Sequence, residues 1–237
     1  MLSRFVEDVR VLEPSAGVQD IAILPDGRTM LVYRLTTDGV DLSAAGPRTH
    51  AKFKSPVGLV RAVMMQFKPG WSAALLGVAA SELTDRVVWL DELWGRAAAD
   101  LRDDLAAART VTEVIDRLGE ALAARSGQDD ESASARLARR AARLLEAGDV
   151  RIDSVAEQLG VTARHLRRVF TEGIGIGPKE FARTMRLQRA LRMSATSTDW
   201  GRIATAAGYY DQAHLIGDFR DLVGLTPGAF AKRASVR

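Results

Sequence analysis

The sequence predicts an α+β N-terminal domain over residues 1–125, an antiparallel sheet followed by helices, and an all-α C-terminal domain over residues 135–237. The second domain is expected to hold two helix-turn-helix units joined by a linker helix. Three observations carry this. Runs of β-forming residues punctuated by turn signals stop at Pro69, where helical periodicity takes over. A polar, acidic stretch without an apolar stripe, SGQDDESAS at 126–134, then reads as a linker. Beyond it, one helix-corner-helix pattern occurs twice.

In the first domain, Arg28 to Leu35 (RTMLVYRL) and Leu59 to Phe67 (LVRAVMMQF) stand out among an expected four to six strands. Pro25-Asp26-Gly27 and Asp38-Gly39 are turn signals. After Pro69 the pattern predicts helices over Gly70–Leu76, Ser81–Val88, Leu90–Leu105 and Val111–Arg125. Past the linker, Arg136 to Ala147 (RLARRAARLLEA) forms a basic amphipathic helix with Gly148 as its expected C-cap. Alone it would suit a membrane surface. Its position directly before a helix-turn-helix makes it the first helix of that domain.

The first repeat is Ile152 to Phe170, IDSVAEQLGVTARHLRRVF. Two short helices about a tight turn place Val155, Ala156, Leu159, Val161, Leu166 and Val169 on the inside, and Ala156 is small enough to let the helices cross closely. Gly160 can take the left-handed corner, and the Thr162 hydroxyl can accept from the orphan amides of the second helix. That leaves Arg164, His165, Arg167 and Arg168 on an exposed helix, and Arg suits both guanine edges and phosphates. The second repeat, WGRIATAAGYYDQAHLIGDF at 200–219, has the same plan with one extra residue between its Gly and its Leu. Between them, Pro178 suits a first helical position, and Phe181, Met185, Leu187, Leu191 and Met193 form an apolar stripe. A helix from Pro178 to Met193 would be roughly 24 Å long, a spacer compatible with the roughly 34 Å repeat of successive major grooves. It can equally be an ordinary core helix, and both can hold.

Charge divides the same way. Residues 1–131 carry 15 Lys and Arg against 20 Asp and Glu, and residues 132–237 carry 18 against 10, so the second part is net +8. A basic part joined to an acidic one is the electrostatic pattern of a nucleic-acid-binding unit attached to something else. The absence of cysteine excludes disulfides, thiolate zinc sites and cysteine redox chemistry. No apolar run is long enough for a membrane span and the N-terminus is not a signal peptide, so a cytoplasmic location without membrane contact is expected.

Sites of other chemistry are sparse. His50, Lys52 and Lys54 could receive an anion or be plain surface. Trp71, Trp89 and Trp94 could line an apolar pocket, though aromatics flanking a sheet are more often core. Asp91-Glu92 and Asp103-Asp104 are adjacent carboxylates, which point apart on a helix. No nucleophile triad, phosphate loop or metal spacing stands out, so no enzyme activity, catalytic residue, metal or cofactor is expected. An enzyme tethered to DNA, or a tandem helix-turn-helix module for protein interaction, are the alternatives.

The paired motifs, the linker helix and the tail GYYDQAHLIGDFRDLVGLTPGAF resemble the DNA-binding region of AraC/XylS-type transcriptional regulators over about Ala138 to Lys232. Gly208, Asp211, Gln212, His214, Phe219, Gly224, Thr226, Pro227 and Phe230 carry that resemblance most specifically. It implies two units in adjacent major grooves on one face of duplex DNA. By position, Arg164, Arg167 and Arg168 would face the first groove and Gln212, Ala213, His214 and Gly217 the second, with Thr162, His165 and Arg220 alongside. Members often have Arg where this chain has Gly217, so the second unit is expected to read fewer bases or to lean on Arg220 and backbone contacts. From Ile23 to Arg125 the chain more loosely resembles a small sensor-like domain that precedes such units, carried by ILPDGRTMLVY and PGWSAALLGVAASELTDRVVWLDELWG. The implied partners are promoter or operator DNA, with a small-molecule effector at the N-terminal domain, RNA polymerase and a second copy of the chain as candidates.

Overall fold

The computed structural model describes residues 2–14, 20–126, 132–148 and 151–235. Among them, a short 3-10 turn precedes β1 (Val6–Leu12), β2 (Ile21–Ile23), β3 (Met30–Thr36), β4 (Gly39–Ala45), β5 (Lys52–Lys54) and β6 (Leu59–Phe67). Helices α1 (Ser72–Leu76) and α2 (Ala80–Leu83) follow, then β7 (Val87–Trp89), α3 (Leu90–Trp94), α4 (Arg96–Ala106) and α5 (Val111–Arg125). The five-stranded antiparallel sheet has the order β1-β6-β3-β4-β7, and β2 pairs with β5 as a separate ribbon.

Period-2 alternation builds that sheet's inner face. Leu31 pairs with Met65 and Ala44, and Tyr33 with Val63 and Leu42, all of them buried. The helices cover this face with Leu75, Leu76, Leu90, Leu101, Leu105, Leu118 and Leu122. Trp71 and Trp94 join that core, as aromatics beside a sheet usually do, and the Trp94 indole N–H donates to the Leu75 carbonyl. Trp89 does not; it is 47% exposed on edge strand β7.

Three expectations are corrected. The Ser81–Val88 helix stops at Leu83, and Val87–Trp89 becomes a strand, because Ser43, Ala44 and Ala45 of β4 offer an unpaired edge. The Leu90–Leu105 helix is broken at Gly95, whose φ of 56° lies outside the helical region. Strands number seven among the described residues rather than four to six. Of the polar stretch 126–134, residues 127–131 lie outside the described residues, while Ala133 and Ser134 already belong to α6 (Ala133–Ala147).

The C-terminal half continues with α7 (Ile152–Gln158), α8 (Ala163–Ile174), α9 (Pro178–Ser194), α10 (Trp200–Ala207), α11 (Gln212–Val223) and α12 (Pro227–Ser235). Two cores organise it. Ala138, Ala142, Val155, Leu166, Phe170 and Phe181 form one; Leu187, Ala190, Ile203, Ala207, Leu215 and Phe219 form the other. Helix α9 contributes its first turns to one core and its last turns to the other, so its length fixes the separation of the two helix pairs. Between the halves, Arg28 ion-pairs with Glu146 of α6 at 2.6 Å and lies over the Phe181 ring, and the Thr84 hydroxyl donates to the Gly175 carbonyl. Gly148 ends α6 as expected, but in extended rather than left-handed backbone. No helix among the described residues is long and apolar enough to cross a membrane.

Candidate nucleic-acid interface

Both helix pairs close through the same local chemistry. After α7, Gly160 has φ 70° and the Val161 N–H donates to the Ala156 carbonyl at 3.0 Å. After α10, Gly208 has φ 91° and the Tyr209 N–H donates to the Ala204 carbonyl at 2.9 Å. A residue with a Cβ pays steric strain at such angles. Each second helix is then capped by a side chain. The Thr162 hydroxyl accepts from the His165 N–H at 3.2 Å, and an Asp211 carboxylate oxygen accepts from the His214 N–H at 2.7 Å. The extra residue of the second turn is Tyr210, which stands 92% exposed while Tyr209 is buried beneath it.

Helix α8 buries Leu166, Val169, Phe170 and Ile174, which leaves Arg164, His165, Arg167 and Arg168 exposed with the Thr162 cap. Arg167 lies 3.5 Å from Asp153 of α7, and Arg168 pairs with Glu172 one turn on at 3.2 Å. Exposed pairs of this kind contribute little, so both guanidinium groups can exchange to a stronger anion. Helix α11 buries Leu215, Asp218, Phe219, Leu222 and Val223, leaving Gln212, Ala213, His214, Gly217 and Arg220 exposed. The His214 ring meets the Tyr209 ring edge-on, with centroids 5.2 Å apart. All ten residues singled out from the sequence thus lie on the outer surface of α8 and α11 or at their caps. They form two separate sets on two helices.

Sequence reasoning missed the groups that hold the second helix in place. Arg183 of α9 donates from Nε to Asp218 at 2.8 Å and from Nη2 to Asp221 at 2.7 Å. Those two hydrogen bonds and ion pairs to its carboxylates outweigh burial and raise the Arg183 pKa. Arg189 donates to the Ala207 carbonyl at 2.8 Å, and the Arg186 guanidinium lies 5.7 Å from the Tyr209 ring centroid. Arg183, Arg186 and Arg189 recur every third residue, the signal that could have revealed a face turned to α10 and α11. Burial, with the nearby Asp218 charge, also pushes the Tyr209 phenol pKa up. Among the described residues no cluster of His, Cys, Asp and Glu could hold a metal ion.

Residues 155–233 match a family described as a helix-turn-helix domain, and residues 1–89 match a domain of unknown function, DUF6597. The chain is 39% identical over 106 residues to the probable bifunctional transcriptional activator/DNA repair enzyme AlkA of Mycobacterium tuberculosis. That match covers 41% of this chain and 21% of the relative. It is 35% identical over 82 residues to the HTH-type transcriptional regulator GlxA of Rhizobium meliloti, over 34% of this chain and 25% of that one. The chain thus spans about a fifth to a quarter of the length of these relatives. ToxT from Vibrio cholerae O395, solved bound to (E)-4-(8-methylnaphthalen-1-yl)but-3-enoic acid, has a similar fold at TM-score 0.50 and 8% identity. That similarity covers 95% of this chain and 97% of that one, and is one of fold alone. Residues 155–233, which carry the two capped corners and the spacer helix between them, form a helix-turn-helix domain of the AraC type.

Proposed function

We propose that the chain is a sequence-specific, double-stranded DNA-binding transcription regulator that places α8 and α11 in successive major grooves. One observation carries this reading: two helix pairs with the same turn and cap chemistry share the spacer α9, in a half of the chain that is net +8. A protruding helix fits the major groove, and Arg side chains there can take guanine O6 and N7 or neighbouring phosphates. Arg164, Arg167 and Arg168 read bases in the first groove, with His165 and the Thr162 cap beside them. Gln212, Ala213 and His214 face the second, where Gly217 offers no side chain and Arg220 reaches for the backbone. Residues 1–125 act as a separate sensor or dimerisation domain, 126–134 as the linker and 135–237 as the DNA-binding domain. A small-molecule effector at the N-terminal domain modulates binding, and the protein performs no catalysis of its own. The repair activity named for the mycobacterial relative belongs to a protein of which this chain matches only 21%.

Selection of bound duplexes from a random library tests this. Two sequence blocks about one helical turn apart are expected, with affinity falling steeply as salt rises. Arg167→Ala or Arg168→Ala should then cost about 1–3 kcal/mol on the selected site if that residue makes a bidentate base contact. Wild-type affinity in both variants, or no enrichment from the library, would sink the proposal.

A further inference from the structure

The segment that follows β4 carries more positive charge than its surroundings balance. Arg48 is only 5% exposed, and its Nη1 is shielded with no hydrogen-bond acceptor among the described residues. On β3, Arg34 pairs through Nη2 with Asp41 at 3.1 Å and lies 5.6 Å from the centroid of the half-exposed Trp89, yet its Nε is also shielded and unpartnered. In β5, Lys52 and Lys54 share one face by strand alternation, while Phe53 faces the other way, toward Arg233 and the core around α11. Partial burial, then the charges of Arg48, Arg34 and Lys52, lower the Lys54 pKa. The carboxylates nearby are engaged: Asp41 with Arg34, and Asp85 with the Thr49 N–H and hydroxyl. His50 turns its Nδ1 to the Thr49 hydroxyl at 2.9 Å.

A guanidinium withdrawn from water beside other cations is unfavourable unless an anion accompanies it. We propose that Arg48, Lys52 and Lys54, with Arg34 beside them, form a binding site for an oxyanion, a carboxylate or phosphate group. The donors fit that chemistry. A planar guanidinium offers directed N–H groups to two oxygens, and the lysines add mobile point charges at the rim. The oxyanion relieves the repulsion among the four cations. The segment also touches the second recognition helix, because the Ala51 N–H donates to the Leu222 carbonyl of α11 at 2.7 Å. The site therefore supplies a chemical class for the effector proposed above; its regulatory consequence rests on that reading, its anion binding does not.

Trp89 under Arg34 provides a local reporter. The full chain is titrated with inorganic phosphate, and separately with acetate, each replacing chloride at constant ionic strength while tryptophan fluorescence is read. A saturable change is expected with at least one anion, absent from Trp89→Phe and weakened at least tenfold in Lys52→Gln and Lys54→Gln. Both lysines are exposed, so these variants should keep the wild-type melting profile. Saturation by phosphate alone marks a phosphate site, by acetate alone a carboxylate site, and by both a general oxyanion site. Arg167→Gln, which alters the proposed DNA face, should leave the titration unchanged. No saturable change with either anion, an undiminished response in both lysine variants, or a response abolished by Arg167→Gln would overturn the site. Failure of DNA selection alone would leave it standing.

Discussion

Gly217 lies exposed in the middle of α11, and a Cβ there would meet no atom within 4 Å. Its backbone is helical, so the glycine costs helix propensity without a geometric return. Gly217→Ala should stabilise the protein by about 0.5–1 kcal/mol in urea melts. Gly217→Arg should gain comparably in stability and steepen the salt dependence of DNA binding if α11 lies in a groove; an unchanged slope would remove α11 from the interface. The two caps give a matched pair of losses: Thr162→Ala and Asp211→Ala should each cost about 1 kcal/mol. Thr162 was legible because it stands two residues past a corner glycine. The capping role of Asp211 was hidden by the inserted Tyr210, which shifts the spacing by one. A third residue sets a pH dependence. Burial raises the pKa of Asp26 above its ordinary 3.8, against the Arg28 N–H and charge. Its stabilising contribution is therefore complete below that value and is lost as pH rises through the raised one. The stability of Asp26→Asn relative to wild type should accordingly increase as pH rises from about 4; a flat difference would mean that Asp26 does not titrate there.

At the scale of elements, the strongly periodic segments were legible and the short ones were not. Leu59–Phe67 is a strand and Val111–Arg125 a helix with the bounds their patterns predict, and Pro178 begins α9 as its fixed φ suggests. Strand β7 was not legible, because Val87–Trp89 is three residues long and is made a strand by hydrogen bonds to β4, some forty residues earlier. The fork from Arg183 to Asp218 and Asp221 was hidden for the same reason: it joins residues 35 and 38 positions apart. It holds α11 on α9 through Asp218, a carboxylate side chain only 11% exposed. Removing one partner of a buried pair strands the other charge. Since the Arg183 side chain is 30% exposed, the loss in Arg183→Met should be moderate, about 2 kcal/mol. Arg183→Lys, which cannot reproduce the fork, should recover only part. If α9 sets the spacing of the two units, Arg183→Met should also relax the preference for one separation of the selected DNA blocks. Lost stability with the preference intact would reduce the fork to a local brace.

At the scale of the whole molecule, the division into an acidic α+β half and a basic helical half follows from composition, but the seam between them does not. Its centre is Arg28, whose side chain is 8% exposed: Nε is 2.7 Å from Glu7 and Nη2 is 2.6 Å from Glu146, with the guanidinium over Phe181. Glu146 and then Glu7 outweigh burial and raise the Arg28 pKa. In the sequence Arg28 belongs to a turn and a strand start, and nothing local distinguishes it from a surface arginine. The seam continues through the Gln188 side chain, which donates to the Pro25 carbonyl at 2.5 Å, and through the ion pair between Arg233 and Asp20. Arg28→Met removes a charge that pairs with both halves and leaves two partly exposed carboxylates that water can solvate. The cost should therefore fall below the 3–5 kcal/mol of a fully buried pair, at about 2–3 kcal/mol. It falls on the coupling between halves rather than on either core. Scanning calorimetry should accordingly show one transition in the wild type and two in Arg28→Met, with Glu146→Gln intermediate because Glu7 still holds the guanidinium. One transition in Arg28→Met at the wild-type midpoint would mean that the remaining contacts, not Arg28, join the halves.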